Sequence, residues 1–294
     1  PGSASGTPGT AVTAGTVLSA GLTYTIRATI AADSFYNSTY VDSTWTISKA
    51  AQSAVSVNSA SSIGYGPAYT ATAAGGNGGG AIVWALGSGS TATGAAINSS
   101  TGVVTYTGTG TVHFNAYRAG DTNYNASANT GDFQLTVTKG TQSAVTITSS
   151  TTTIFGSAYT ATASGGSGTG VLVWALGSGS TAHGAAINAS TGVVTFTGTG
   201  TVVFTVYRAA DANYNQSATT GQFTLTVNKA SQPVVTINSG SNITFGGSYT
   251  ATATGGAGTG SLVWALGSGS TASGAAINAS TGVITYTGAG TVVL

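Results

Sequence analysis

Short runs of alternating apolar and polar residues cover most of the chain, separated by clusters rich in glycine, serine and asparagine. In "FTLTVN", Phe223, Leu225 and Val227 fall on one side and Thr224, Thr226 and Asn228 on the other. A period of two marks a strand with one face buried. "TVVFTVYR" (201–208), "VVTFT" (193–197), "VLVWAL" (171–176), "SAYTATA" (157–163) and "AVTIT" (144–148) read as strands too, and "GAAIN" (184–188) as a short edge strand. Between them, "SGGSGTG", "GSGSTAHG", "NASTG" and "TGTG" are turn clusters. No stretch carries useful helical periodicity. Seven short strands in about ninety residues, broken by turns every 8–12 residues, predict an all-β antiparallel sandwich.

The same pattern recurs. Lys49, Lys139 and Lys229 are spaced by 90 residues, as are Trp84, Trp174 and Trp264. Two complete repeats follow, 49–138 and 139–228. Residues 229–294 match the front of a repeat, and 1–48 match the back of one, with a drifted opening. Repeats of this kind form arrays in which each unit meets mainly its neighbours. "FTLTVNK" runs almost directly into "ASQPVVTIN", with no flexible Gly/Ser tether. Very short linkers predict a semi-rigid row of sandwiches joined end to end. Trp174, on the third predicted strand, is expected inside its sandwich.

Composition narrows the function. The 294 residues carry six basic and five acidic side chains, and all five acids are aspartate. No basic face suits nucleic acid, and no lysine-rich run suits an anionic membrane. The surface must consist of Thr, Ser, Asn, Gly and backbone, which suits glycosylation or packing against copies of itself. Cysteine is absent, so disulfides and thiolate metal sites are excluded. No apolar run reaches the roughly 18 residues of a membrane span. A start at Pro1, with neither methionine nor a signal-like stretch, is expected for a mature product or an internal piece of something longer.

"VWALGSGS…AAINASTGVVTFTGTGTVVF" resembles the bacterial immunoglobulin-like repeats of large surface proteins, which pair a mid-domain Trp with a later "T-G-x-V-T…G-x-G-T" segment. "AGTVLSAGLTYTIRATIAADSFYN" and "RAADANYNQSATTGQFTLTVNKA" are similar to a related set that ends in an Asp-x-Asn-Tyr-Asn-like turn, a last strand and a Lys-Ala junction. The resemblance implies tandem immunoglobulin-like sandwiches serving as spacers, adhesive modules or enzyme appendages. In the first copy "DSFYN" departs from "DTNYN" and "DANYN".

Candidate chemistry is sparse. In "DTNYNASANTGD", Asp121, Asn123, Asn125, Ser127, Asn129 and Asp132 occupy positions 1, 3, 5, 7, 9 and 12 of a calcium loop. Position 6 is Ala126 rather than glycine, and the next repeat has Gln222 at position 12, which favours a turn held by Asp and Asn side chains, with Tyr124 over a domain junction. His113 and His183 share no repeat column, so no recurring metal site or triad is expected. Arg208 and Asp211 stand close enough in sequence to pair. One lysine per repeat, at the junction and without a buried acid to help it, argues against an internal isopeptide bond. The alternating Thr105, Thr107, Thr109 and Thr111 follow from strand preference rather than from an ice-binding face. Sequons at Asn37, Asn98, Asn125, Asn188, Asn215, Asn242 and Asn278 permit glycosylation if the chain is exported. Glycoside hydrolysis needs two placed carboxylates, and nucleophilic catalysis a recurring base.

The expectation is therefore a non-enzymatic, extracellular segment of a bacterial surface protein, with no catalytic residue, cofactor or metal. It acts as a spacer or as a rod that binds weakly through many equivalent surfaces. Its partners are copies of itself or an extracellular ligand, not nucleic acid or membrane. Alternatives are a fibre subunit, with strands of 1–48 completing 229–294 of a neighbour, and a carbohydrate-binding appendage of a secreted enzyme. Tyr36, Tyr40, Tyr124 and Tyr214 are the aromatics free to lie at the surface.

Overall fold

The computed structural model describes residues 14–294, and every regular element in it is a strand. Part of the drifted opening of the first repeat, residues 1–13, lies outside the described residues. A hairpin comes first, β1 (Thr23–Ile30) and β2 (Thr39–Thr46). The repeat 49–138 follows with β3 (Val55–Val57), β4 (Ser62–Gly64), β5 (Tyr69–Thr70), β6 (Ala73–Gly75), β7 (Ile82–Leu86), β8 (Ala96–Ile97), β9 (Val103–Thr105), β10 (Gly110–Arg118) and β11 (Phe133–Thr138). The repeat 139–228 copies it as β12 (Val145–Ile147), β13 (Thr152–Ile154), β14 (Tyr159–Thr160), β15 (Ala163–Gly165), β16 (Leu172–Leu176), β17 (Ala186–Ile187), β18 (Val193–Thr195), β19 (Gly200–Arg208) and β20 (Phe223–Asn228). The last part carries β21 (Val235–Ile237), β22 (Tyr249–Thr250), β23 (Ala253–Gly255), β24 (Ala276–Ile277) and β25 (Val283–Thr285).

Each complete repeat is a sandwich. One layer is the four-stranded sheet β13-β20-β19-β16, and the other is made of the pair β12-β15 and the sheet β14-β18-β17. Along β19 the alternation drives Val202, Phe204 and Val206 fully inside, where they meet Leu225 and Val227 of β20. Val145 and Val194 close the core from the opposite layer. The core of 49–138 repeats this set with Val112, Phe114, Ala116, Leu135, Val137, Val55 and Val104. Trp84 and Trp174 are buried in these cores, and Trp174 stands edge-on to Phe204 at 5.8 Å. Gly192 packs against that indole at φ +70°, and a Cβ there would lie 2.8 Å from Ala161 O and 3.0 Å from Trp174 Nε1. The turn that delivers Gly192 is set by Asn188, whose Oδ1 accepts the N–H groups of Ser190 and Thr191, each at 2.9 Å. Asn98 and Asn278 build the same turn in the other copies.

Three details of the strand reading are corrected. A complete repeat has nine strands, not seven, and tryptophan is on the fifth, not the third. "SAYTATA" is two strands because the backbone changes partner within it: Tyr159–Thr160 pair with β18, whereas Ala163 and Ser164 pair with β12. The unforeseen β13 is three residues long and pairs parallel to β20, so the sandwich is not wholly antiparallel. A strand that short shows no alternation, and only its partner defines it. Repeated tyrosines explain how the loop ahead of β14 is held. The hydroxyls of Tyr69, Tyr159 and Tyr249 each donate to a carbonyl nine residues upstream, on Ala60, Ser150 and Gly240.

The outer repeats are open. Both strands of the β1–β2 hairpin are largely exposed, and Trp45 is 51% exposed. Trp264 is half-buried, and its segment pairs with no strand.

Candidate functional site

The repeated Asp turn sits at one pole of each complete sandwich, where it meets the preceding unit. Asp211 N–H donates to Tyr214 O at 3.0 Å. Its Oδ1 accepts the N–H groups of Asn213 (2.9 Å) and Tyr214 (2.8 Å), and its Oδ2 accepts the N–H (2.6 Å) and hydroxyl (3.2 Å) of Thr169. Asp121 does the same with Asn123, Tyr124 and Gly79. The divergent copy keeps the turn as well: Asp33 Oδ1 accepts from Phe35 and Tyr36 N–H. Within the turn itself only backbone N–H groups donate, so replacing asparagine by Phe35 leaves the turn intact and changes only what projects from it.

Charge-accepting geometry of this kind favours the ionised carboxylate. The N–H of Thr169, with those of Asn213 and Tyr214, holds the Asp211 carboxyl at about 2, below the ordinary 3.8. Asp121 is lowered as well, chiefly by the N–H of Asn123 and then that of Gly79. The unfolded chain therefore takes up these protons first as pH falls. The stabilisation is complete above the unfolded value and is lost as pH drops through the folded one. The melting temperature is expected to hold steady down to about pH 4 and fall between about pH 4 and pH 2. Calorimetry on the Asp121→Asn/Asp211→Asn variant should show that acid slope largely removed.

Beneath the turn lies Gln142, which is buried. Its amide donates to Ala209 O (3.0 Å) and Asn215 O (2.8 Å), and its Oε1 accepts Gly168 N–H (3.2 Å). Gln52 and Gln232 occupy the same column, and Gln52 makes the matching bonds. Arg208 does not pair with Asp211, contrary to expectation. Its Nε and Nη1 donate to the carbonyls of Gly165 (2.9 Å) and Gly170 (2.7 Å), since the neighbouring loops present bare carbonyls at that point.

The linker is bonded on both sides. Tyr65 N–H donates to Thr138 O at 2.9 Å, from the unit before. Gly140 N–H donates to Asn213 O and Asn215 N–H to Gly140 O, both at 2.9 Å, from the unit after. Gly140 is needed here: a Cβ would sit 2.1 Å from Tyr65 O. Across the junction Asn213 Oδ1 accepts Thr109 N–H, and its Nδ2 donates to Thr107 O, both at 3.2 Å. Thr109 Oγ1 donates to Ala212 O at 3.3 Å. The rings of Tyr65 and Tyr214 meet edge-on, 5.3 Å apart at 89°. The junction before it repeats the theme: Asn123 Oδ1 accepts Ala20 N–H at 2.9 Å, and Lys49 Nζ donates to Asp121 O at 2.6 Å.

Four of the calcium-loop side chains are engaged elsewhere. Asp121 and Asn123 accept backbone N–H groups, and buried Ser127 Oγ accepts Arg118 N–H and donates to Ala128 O. Asp132 faces His113 Nδ1 at 2.5 Å. Ser127 and Ser217 thus complete sequons while serving as buried structural hydroxyls. His183 Nδ1 lies 2.7 Å from Thr197 Oγ1. Among the described residues no three His, Cys, Asp or Glu side chains are grouped as a metal site would require. Tyr36 and Tyr40 are exposed, while Tyr124 and Tyr214 are partly covered at the junctions. Sequence reasoning placed Tyr124 at a junction but missed Gln142, Tyr65, Thr109 and Gly140. Gln142 was findable, because its column is invariant in the three copies.

No protein-family model matches the chain, and no curated protein does. Solved structures do. A protocadherin gammaB7 EC3-6 cis-dimer structure overlaps at TM-score 0.30 and 14% identity, over 70% of this chain and 60% of that one. Drosophila N-cadherin EC1-4 overlaps at TM-score 0.27 and 11% identity, over 90% of this chain and 74% of that one. The chain thus spans about 60% of the protocadherin it matches. Among the described residues no helix is long and apolar enough to cross a membrane.

Proposed function

We propose that the chain is a non-enzymatic, extracellular segment of a bacterial surface protein of the immunoglobulin-like repeat kind. Complete units occupy 49–138 and 139–228, and partial ones 1–48 and 229–294. The segment holds an attached element away from the cell and presents the same weakly binding surface once per unit. The observation that carries this reading is the recurrence of one sandwich, with the same register and the same polar pole, joined through linker residues bonded to both neighbours. Equivalent surfaces at fixed spacing convert weak contacts into avidity. A surface with few charges is consistent with contacts to glycan or to like surfaces rather than to nucleic acid. Antibody labelling of intact cells that make the protein tests this reading, followed by electron microscopy of the purified chain. Surface labelling and isolated beaded rods are expected. Antigen reached only after lysis would overturn the reading.

A second reading, a self-assembling fibre, is favoured by one match. Counted back from Asp33 and Asp211, Tyr24 stands in the place of Val202; counted back from Lys49 and Lys229, Trp45 stands in the place of Leu225. Both pairs are cross-strand partners. The β1–β2 hairpin therefore carries an exposed face in the register of β19–β20. A hairpin of this register, donated by a second copy, would add to an open sandwich by strand addition. Concentration-dependent filaments in the same micrographs would select this reading over isolated rods.

A further inference from the structure

We infer that the asparagine at the third position of the turn is an inter-unit clamp, and that it fixes the angle between successive sandwiches without a metal ion. The inference deepens the spacer reading, on which it rests for its purpose but not for its geometry. Asn213 spends both ends of its amide on the unit before it: Oδ1 accepts Thr109 N–H and Nδ2 donates to Thr107 O. One planar group thus reads a donor and an acceptor two residues apart, which fixes position and rotation together. Thr109 Oγ1 returns a bond to Ala212 O, and the Tyr65–Tyr214 contact blocks tilting on one side. Thr138 is bonded by the unit before, and Lys139 and Gly140 by the unit after, so no linker residue is left as a hinge. The clamp needs no calcium: Asp211, two residues from Asn213, is saturated by N–H and O–H donors of its own unit.

The receiving pole is defined by chemistry: an aromatic ring followed by glycine, and a Thr-Gly-Thr-type turn presenting its backbone. Residues 155–156 and 197–199 repeat it in the next unit, where Phe155 is partly exposed, and 245–246 and 287–289 repeat it again with Phe245 exposed. The occupant such poles fit is an Asp-x-Asn-Tyr-Asn turn of another unit. The turn at Asp33 presents Phe35 instead, 86% exposed. A benzyl group neither donates nor accepts, so that turn cannot clamp a pole of this type.

The chain has no cysteine, so two exposed serines, Ser100 and Ser190, can be exchanged for cysteine and spin-labelled to report the distance between the complete units. One narrow distribution is expected, unchanged by chelator or by added calcium. Asn213→Ala should raise the undocked fraction about ten-fold, which corresponds to about 1.4 kcal/mol, and Asn213→Phe should do at least as much. The Asn213 side chain bonds only across the junction, so hydrogen-exchange protection of β16, β19 and β20 should be retained in both variants. A broad distribution in the unsubstituted chain, sharpening only with calcium, or widths unaffected by either substitution, would overturn the clamp. Because the measurement is made on purified protein, its failure leaves the surface location untouched, and absent cell-surface labelling leaves the clamp standing.

Discussion

Replacing Trp174 with alanine is expected to destabilise the 139–228 unit by about 3–5 kcal/mol, the usual range for truncating a buried aromatic. The indole is 4% exposed, contacts Phe204 edge-on, and lies under the Asn188 turn through Gly192. No smaller residue nearby can fill the space, because Phe204, Leu225 and Val206 are already fully buried. A sandwich of about ninety residues is stable by only about 5–15 kcal/mol, so the loss is a large share of the total. Hydrogen-exchange mass spectrometry resolves the units in one molecule. Protection should fall across β16, β19 and β20 and persist across β7, β10 and β11. Equal loss in both units would mean that they fold as one body, and unchanged protection would remove tryptophan from its central place.

Gly192→Ala is expected to cost about 2–4 kcal/mol, combining a left-handed backbone without glycine and an overpacked site. The methyl would stand 2.8 Å from Ala161 O and 3.0 Å from the Trp174 ring nitrogen at φ +70°. Neither neighbour can retreat: Ala161 O lies between two strands that pair with different sheets, and the indole is enclosed. The same exchange at Gly131, where no atom lies within 4 Å of the added methyl, should leave the melting temperature unchanged. Thermal unfolding of the two variants side by side checks the difference.

Much of this fold could be read from the letters because its cues are local. The Phe223–Val227 and Val202–Val206 alternations name their own buried faces, and the 90-residue spacing of Trp84 and Trp174 multiplies each observation. β13 was illegible because three residues carry no period, and its partner lies more than seventy positions away. The division of "SAYTATA" between two sheets was illegible for a similar reason: alternation records which way side chains point, not which neighbour the backbone bonds. At the junction the Asp turn could be read from Asp211, Asn213 and Tyr214. Its receiver could not, because the Asn213 amide meets main-chain atoms of Thr107 and Thr109, which every residue has. Gly140 is significant only once Tyr65 O is known to stand behind it.

The parallel pair β13–β20 joins a strand near the start of the unit to the one that leaves it. When a chain of such units is stretched, tension enters near β13 and leaves through β20, and the two slide lengthwise past each other. Thr226 N–H to Thr151 O and Phe155 N–H to Asn228 O flank that pair. Their bonds are sheared together rather than unzipped in turn, so each sandwich resists extension as a latch and gives way abruptly, one unit at a time.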